Sequence, residues 1–186
     1  MDVVNMVLLI VAAFFLRKIV QFFFPTHVVP EKLAILITGC DTGFGHRLAI
    51  RAKEYGFHVF ATCFDKTSDG AEALKSIGCD VLGVDVTNQS IIDDALAVVE
   101  DCLKDKKMKL HAIVNNAGIN VTSGPMEWNA PEMVEKVFNV NVMGIVRVTR
   151  TFLPFIRAAQ GDRGLTTQEG VFSLKKMAFN SVSYLR

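Results

Sequence analysis

Short apolar runs alternate along the chain with segments in which apolar residues recur at helical spacing. The apolar runs are LAILIT from Leu33, FHVFATC from Phe57, DVLGVDVT from Asp80 and LHAIVNNAG from Leu110. Such runs are typical of strands buried on both faces of a parallel sheet. Helical periodicity fills the segments between them and continues from Pro131 to about Arg157. This order predicts an α/β fold, a doubly wound parallel sheet of about four strands with helices on both faces.

Two of the predicted helices have an assignable buried face. In the segment 46–56 that face comprises Leu48, Ala49, Ala52 and Tyr55, with Gly56 suited to the end of the helix. In the segment 88–105 it comprises Ile92, Ala95, Val99 and Cys102, with Asn88 as the expected N-cap. The final helix should kink late, at Pro154.

The amino-terminal run Val3–Leu16 is apolar on every side, with Asn5 as its one polar residue. At a rise of about 1.5 Å per residue this run is roughly 21 Å long, and extending it to Phe24 gives roughly 33 Å, enough for a hydrocarbon core of about 30 Å. A buried core helix is the alternative interpretation. A cleaved signal peptide is disfavoured, because Asp2 is the only early charge and no small-residue cleavage pattern follows.

These features predict a hydrophobic anchor helix over residues 1–24, either spanning the membrane or lying at its surface, and a stiff linker over 25–32. Because Arg17 and Lys18 follow the apolar run, the positive-inside rule places the globular part in the cytosol. The membrane of the endoplasmic reticulum is the expected location.

Composition excludes some classes of partner and site. The 186 residues carry a net charge of +1 without a block of like charge, so we expect no nucleic-acid partner. The four cysteines have neither CxxC spacing nor a neighbouring histidine cluster. They are predicted to be reduced, mostly buried thiols, and not a disulfide framework or a metal site.

Three glycines lie in the stretch ITGCDTGFG, Ile37–Gly45, between the first predicted strand and the first predicted helix. The amino end of a helix offers unpaired N–H groups and a partial positive charge, which suit a phosphate. Gly39 would allow a sharp turn, Gly43 the close approach of a diphosphate to the backbone, and Gly45 close packing of helix on strand. The loop therefore predicts a Rossmann-like dinucleotide-binding domain over residues 33–160.

The same loop resembles a family motif. TGCDTGFG is similar to the Thr-Gly-x-x-x-Gly-x-Gly of the short-chain dehydrogenases/reductases, above all the branch of retinol, hydroxysteroid and 3-hydroxybutyrate dehydrogenases. Further segments agree in the same order: VDVT from Val84, NNAG from Asn115, NVNVMG from Asn139 and TFLPFIRAAQG from Thr151. The resemblance extends from Leu33 to about Gly161. It implies an oxidoreductase that uses a nicotinamide dinucleotide and acts on a hydrophobic alcohol or ketone.

The resemblance also implies roles for single residues. Asp85 would bond the adenine amino group, Asn115 would stabilise the sheet beside the cofactor, and Asn141 would be the catalytic asparagine. The alternatives are that Asp85 ends a strand or caps a helix, that Asn115 is a turn residue, and that Asn141 bonds its own helix backbone. The cofactor-binding residues expected are Gly39, Asp41, Thr42, Gly43, Phe44, Gly45, Asp65, Asp85, Val86, Asn115, Ala117 and Gly118.

The second predicted strand bears on the choice of cofactor. By spacing from Gly45, the family's discriminating aspartate falls on Cys63, but Asp65 could still reach the ribose hydroxyls of NAD. Lys66 and Arg47 are possible partners for the extra phosphate of NADP. We expect NAD, with NADP possible.

The family's acid–base pair is not found in the sequence. The family uses a Ser and a Tyr-x-x-x-Lys, in which the Lys lowers the pKa of a Tyr that otherwise titrates near about pH 10. The two tyrosines are Tyr55, with Val59 four residues on, and Tyr184, two residues from the end. We therefore expect the 186-residue chain to be catalytically inactive. The alternative function is a non-catalytic nucleotide-binding module or regulatory partner of a full-length relative.

The tail over residues 161–186 diverges from the family pattern. GVFSL could form a short fifth strand containing Ser173, but the preferred interpretation leaves this segment unmatched and makes LHAIV an exposed sheet edge. This pattern is typical of a truncated or alternative product of a longer, membrane-bound dehydrogenase gene. The resemblance further implies a homo- or heterodimer through the helix around Asn141.

Overall fold

The computed structural model describes residues 5–6, 11–16, 30–120, 126–160 and 171–173, and its centre is a parallel β-sheet. The strands are β1 (Leu33–Thr38), β2 (His58–Cys63), β3 (Asp80–Gly83), β4 (Lys109–Asn115) and β5 (Val171–Ser173). Their spatial order is β3-β2-β1-β4-β5. The helices are α1 (Gly43–Glu54), α2 (Asp69–Ser76), α3 (Gln89–Asp105), α4 (Pro131–Phe138) and α5 (Gly144–Gln160), with 3₁₀ turns at Pro30–Lys32 and Met126–Trp128.

Two apolar layers cover the two faces of the sheet. Because successive side chains of a strand point to opposite faces, Leu36 packs into one layer and Ile37 into the other. Val99 of α3 and Phe152 of α5 belong to the first layer, and Leu74 of α2 belongs to the second. The fold is therefore doubly wound, with α3 and α5 on one face and α1 and α2 on the other, which confirms the predicted fold class.

Most predicted helix features are confirmed at the level of single residues. The side chain of Asn88 accepts hydrogen bonds from the amides of Ser90 and Ile91, as expected of an N-cap. Of the predicted face of α3, Ile92, Ala95 and Val99 are buried together with Leu103, whereas Cys102 is only partly buried. The prediction for Tyr55 is wrong, because its side chain is 69% exposed at the end of α1.

The predicted long helix from Pro131 is divided by a π-helical segment, Asn139–Met143, which separates α4 from α5. In such segments the backbone hydrogen bonds span five residues instead of the four of an α-helix, and they are frequent at functional sites. Here the segment lies beside the mouth of the sheet, where it contributes to the cleft described below.

The fifth strand corrects the predicted sheet. Residues 171–173 pair in parallel with β4, in the register Ile113↔Val171, Val114↔Phe172 and Asn115↔Ser173. Over these residues β4 is not the sheet edge that the preferred interpretation of the tail made it. A strand of three residues is too short to show alternation in a sequence, which is why the pattern did not favour it.

The predicted anchor and linker fall mostly outside the described residues. Residues 5, 6 and 11–16 are helical, and of the linker only 30–32 are described, in a 3₁₀ turn. Among the helices that the structure describes, none has the length and apolar character needed to cross a membrane.

Candidate functional site: the cleft at the carboxyl ends of the strands

The glycine loop lies at the junction of β1 and α1, as predicted. Gly39 and Gly43 have positive φ values of 69° and 66°, in the region that favours glycine. A Cβ on Gly39 would lie 2.7 Å from the Cα of Ala117, and one on Gly45 would overlap the side chain of Asn116. These two glycines therefore let the loop after β1 touch the loop after β4.

Gly43 differs from its two neighbours in the motif. A Cβ built on it would meet no atom within 4 Å among the described residues. Its backbone thus faces open space at the first residue of α1. The helix N-cap, Thr42, makes no side-chain capping hydrogen bond, whereas Ser68 and Asn88 cap α2 and α3 with their side chains. The first N–H groups of α1 are consequently available to an external acceptor.

A threonine and an asparagine fasten the two loops together. The Thr38 hydroxyl accepts hydrogen bonds from the amides of Asn116 and Ala117, both at 3.0 Å. The Asn116 side-chain amide donates to the carbonyls of Thr38 and Gly39, both at 2.8 Å. The sequence prediction named Asn115 as the site residue and gave Asn116 no role of its own, so the residue that holds the loops together was missed.

A cleft of about 720 Å³ opens between these loops and the π-helical segment. It lies where the strand order reverses, since β2 and β4 flank β1 on opposite sides. In open α/β sheets this reversal is the usual place for a ligand. The lining residues are Gly39, Asp41, Thr42, Phe44, Phe64, Val84, Asp85, Val86, Thr87, Asn116, Ala117, Gly118, Ile119, Lys136, Asn139 and Val140.

Eight of the predicted site residues line the cleft: Gly39, Asp41, Thr42, Phe44, Asp85, Val86, Ala117 and Gly118. Gly43 and Gly45 shape its wall without lining it. The lining does not include Asp65, Asn115 or Asn141, whose side chains bond other groups of the protein. Phe64 and Lys136 line the cleft although the sequence did not single them out. For Phe64, the one signal available in the sequence was its position directly after a predicted strand, where a large apolar residue is unexpected.

Asp41 organises the second loop. Its carboxylate accepts hydrogen bonds from the amides of Phe64, at 2.9 Å, and Asp65, at 3.0 Å. The carbonyl of Asp41 also touches the start of α2 so closely that a Cβ on Gly70 would overlap it. Asp41 thus fixes the end of β2 beside the glycine loop and leaves the exposed Phe64 ring on the cleft wall.

Two aspartates that follow neighbouring strands have the same local geometry but different surroundings. Asp65 Oδ1 accepts from the amide and hydroxyl of Thr67, and Asp85 Oδ1 accepts from those of Thr87. The Thr67 bonds hold the pKa of Asp65 below its usual value. Asp85 lines the cleft, whereas Asp65 does not and bonds within its own turn.

Both candidate asparagines bond protein groups. Asn115 is 3% exposed, and its side-chain amide donates to the Thr149 hydroxyl of α5 at 3.2 Å. Asn141 accepts from the amide of Ile119 at 2.9 Å and donates to the carbonyl of the same residue at 2.8 Å. The alternative that Asn141 bonds its own helix is therefore wrong, because both ends of its amide clasp the segment after β4. Through Ile119, Asn141 positions one wall of the cleft.

Comparisons with known proteins agree with this geometry. A sequence model of the family described as short chain dehydrogenase matches residues 33–165. Mitochondrial D-beta-hydroxybutyrate dehydrogenase of Bos taurus is 44% identical over 133 residues, which are 69% of this chain and 38% of that protein. Retinol dehydrogenase 5 of Homo sapiens is 37% identical over 130 residues, 68% of this chain and 40% of that protein. The chain thus spans about two fifths of the length of the curated relatives it matches.

The fold is also similar to that of a solved structure. The 3-ketoacyl-(acyl-carrier-protein) reductase from Brucella melitensis, complexed with NADH, matches with a TM-score of 0.64 and 31% sequence identity. The match covers 78% of this chain and 57% of that structure.

Proposed function

Because this chain belongs to the short-chain dehydrogenase/reductase family, we propose that its cleft binds a nicotinamide dinucleotide and that it is part of an oxidoreductase acting on hydrophobic alcohols or ketones. One observation carries the proposal. An uncapped helix amino end, with a glycine whose missing side chain leaves open space, faces a cleft at the reversal of strand order. Dinucleotides bind at such points, with the diphosphate on the helix amino end.

The residues around this point suit the parts of the ligand. The backbone amides from Gly43 onward would receive the diphosphate, whose negative charge the helix dipole favours. Asp85 would accept from the adenine amino group through its second oxygen, Oδ2, since Oδ1 already bonds Thr87. Asn116 would keep the loops after β1 and β4 together beneath the ligand. The nicotinamide ring would donate or accept the hydride.

We propose NAD in preference to NADP. The loop after β2 carries Asp65 and is met by the carboxylate of Asp41 from the glycine loop, whereas the extra phosphate of NADP would need cations there. Lys66 is a candidate partner for that phosphate, but the aliphatic part of its side chain lies against Gly83 of β3, with its Cδ 3.5 Å from the position that a Cβ on Gly83 would take. Asp41, which lines the cleft, is better placed for the ribose of NAD than Asp65, which the sequence favoured.

The 186 residues are proposed to bind the dinucleotide without turning over substrate. Hydride transfer in this family requires a Tyr-x-x-x-Lys, which the sequence does not contain. Tyr55 is no substitute, because it lies at the carboxyl end of α1 while the amino end of the same helix faces the cleft. With NAD and either retinol, 3-hydroxybutyrate or a hydroxysteroid, we expect no NADH formation. Activity that persists after contaminating dehydrogenases are removed would contradict this part of the proposal.

Two exposed apolar surfaces support the proposed membrane and dimer partners. Phe14, Phe15 and Leu16 are 58%, 60% and 61% exposed, as suits an anchor on a cytosolic membrane face, for which the endoplasmic reticulum remains our expectation. A second exposed set follows the helical segments from α4 into α5, where a second chain could pack. Its members are Met133, Phe138, Val142, Met143 and Val146.

The cofactor proposal is tested by a matched pair of glycine substitutions. Gly43→Ala and Gly78→Ala each place a side chain at a positive φ, 66° and 81°, without an overlap, but Gly78 lies after α2, away from the cleft. Both should destabilise the fold by about 1–2 kcal/mol. In calorimetric titration with NAD, Gly43→Ala should weaken binding roughly 10- to 100-fold. The added methyl group would keep the diphosphate away from the backbone amides, so that the charge-assisted bonds to it are lost.

Gly78→Ala is expected to retain the affinity of the unmodified chain. Equal affinities for both variants, or no binding of NAD or NADP by the unmodified chain, would overturn the cofactor proposal. A stronger affinity for NADPH than for NADH would leave the cleft in place and remove the preference for NAD.

A further inference from the structure

Three side chains with metal-ligating atoms meet at the amino-terminal edge of the sheet, opposite the cleft. His58 is the first residue of β2, Asp80 is the first residue of β3, and Cys102 lies in the last turn of α3. His58 Nε2 is 2.9 Å from Asp80 Oδ2. Cys102 Sγ is 3.7 Å from the same nitrogen and 3.5 Å from the same oxygen. All three residues are partly buried.

We propose that this His–Asp–Cys triad binds a divalent metal ion, with zinc as the best match. Imidazole nitrogen, carboxylate oxygen and thiolate sulfur are the donors that zinc takes in proteins. Magnesium and calcium prefer sites made of oxygen ligands, so a thiolate disfavours them. Three protein ligands of a tetrahedral ion leave the fourth position to water.

The distances between the ligand atoms support this assignment. Zinc bonds of about 2.0–2.3 Å at tetrahedral angles place pairs of ligand atoms about 3.4–3.6 Å apart. The two separations from Cys102 Sγ, 3.7 and 3.5 Å, match this geometry closely. The His58–Asp80 pair would open by about half an ångström as its hydrogen bond is replaced by two metal bonds.

The triad is held by rigid elements, as a metal site requires. Asp80 is the ladder partner of Phe60, which lies two residues beyond His58 on the same face of β2. The His58 ring packs edge-on against Phe60, with ring centroids 4.8 Å apart. Helix α3 packs on this face of the sheet and brings Cys102 to the other two ligands.

One cation already lies beside the triad. Lys106 Nζ is 3.6 Å from Asp80 Oδ2, and its side chain is 45% exposed. When the metal enters, this ammonium group moves into solvent and the Cys102 thiol releases its proton to water. Removal of the Lys106 charge should therefore strengthen metal binding. If the triad bound no metal, the same change would only remove the ion pair between Lys106 and Asp80.

The inferred effect of the metal is to stabilise the folded chain, with water as its fourth ligand. The metal would join the amino ends of two neighbouring strands to α3, at the edge of the sheet away from the cleft. An ion that binds only the folded chain stabilises it by mass action. The site departs from the expectation that the cysteines form no metal site, because His58, Asp80 and Cys102 lie 22 residues apart in succession and meet only through the fold.

The test uses the full chain without a polyhistidine tag, with Co²⁺ as the spectroscopic probe and Zn²⁺ as its competitor. The unmodified chain should bind one Co²⁺ with the absorption bands of a tetrahedral thiolate complex, and Zn²⁺ should abolish these bands. Cys102→Ser should lack the thiolate band, and His58→Gln should weaken Zn²⁺ binding at least about 100-fold. Circular dichroism and thermal melting establish that each variant is folded.

Two further variants keep the inference open to refutation even if a ligand substitution prevents folding. Lys106→Gln, at an exposed position, should bind Zn²⁺ more tightly than the unmodified chain. Cys79→Ala, which removes a buried thiol on the other face of the sheet, should keep the thiolate band. No thiolate band in the unmodified chain, a band that persists in Cys102→Ser, or weaker Zn²⁺ binding by Lys106→Gln would overturn the proposal. Because none of these readouts uses NAD, a negative result here is independent of the proposed cofactor.

Discussion

Two buried threonines side by side in the sheet are expected to respond oppositely to the same substitution. Thr38 in β1 and Thr62 in β2 are register partners, and they are 1% and 2% exposed. The Thr38 hydroxyl accepts from two amides at 3.0 Å and is 3.4 Å from the carbonyl of Val114, to which it donates. The Thr62 hydroxyl has no hydrogen-bond partner among the described residues. Replacement by valine keeps the shape of either side chain and removes the hydroxyl.

The expected magnitudes follow from these contacts. Thr38→Val leaves the partly buried amides of Asn116 and Ala117 without this acceptor, each costing about 1–3 kcal/mol, and the new methyl group offsets about 1 kcal/mol. The free energy of unfolding should therefore fall by about 2–4 kcal/mol. Thr62→Val removes a buried hydroxyl that makes no bond, so the free energy of unfolding should rise by about 1 kcal/mol.

Urea unfolding followed by far-ultraviolet circular dichroism measures both effects. With a urea dependence of about 1–3 kcal/mol per molar, the midpoint should fall by about 1–2 M for Thr38→Val and rise by about 0.5 M for Thr62→Val. If both midpoints moved in the same direction, the contrast drawn from hydrogen bonding would be refuted. A fall for Thr62→Val alone would mean that its hydroxyl has a partner, such as an ordered water.

Further substitutions probe the packing around the cleft. Gly144→Ala, at the first residue of α5, should lower the free energy of unfolding by about 1–3 kcal/mol in the same urea assay, because the added Cβ would lie 2.7 Å from Cγ2 of Val86. An unchanged midpoint would contradict this contact. Asn141→Ala should speed hydrogen exchange at the Ile119 amide about tenfold or more, since that amide loses its acceptor; unchanged exchange would show that the clasp does not hold. Burial raises the pKa of Cys63 to about 11, so alkylation of this thiol at pH 8 should require unfolding, and rapid labelling of the native chain would refute it.

The sheet and its helices could be predicted because their signals are local and periodic. Four strands are apolar runs with clear ends, and the buried face of α3 recurs at helical spacing through Ile92, Ala95 and Val99. The fifth strand lacks such a signal, since pairing with β4 defines its three residues. Tertiary pairing, which a single sequence does not display, decided that element.

The site shows where local reasoning stops. Asn115 and Asn116 are adjacent and chemically identical, but a one-residue step at the end of a strand reverses the direction of the side chain. Asn115 consequently points to Thr149 on α5, and Asn116 points to the glycine loop. Nothing in the pair NN tells which asparagine faces which way, because the answer depends on the residue at which β4 ends.

The two aspartates pose the same problem at the level of a motif. Asp-x-Thr occurs after β2 and again after β3, and in both places the aspartate bonds the threonine two residues on. Both aspartates have a ligand role in the sequence-based prediction, and the repeated Asp-x-Thr pattern does not show which of the two faces the cleft. Of these two aspartates only Asp85 lines the cleft, and beside the end of β2 the carboxylate that lines it belongs to Asp41, where the sequence-based prediction has Asp65.

The direction of the parallel strands explains why two separate sites can exist on so small a sheet. All carboxyl ends lie at one edge, where loops leave toward helix amino ends and their N–H groups favour an anion. All amino ends lie at the opposite edge, where the carboxyl end of α3 arrives and its carbonyl dipole favours a cation. Lys106, at the C-cap of α3, already meets that preference, and the triad beside it adds a carboxylate. The diphosphate and the metal are thus inferred at the two edges whose backbone fields suit their opposite charges.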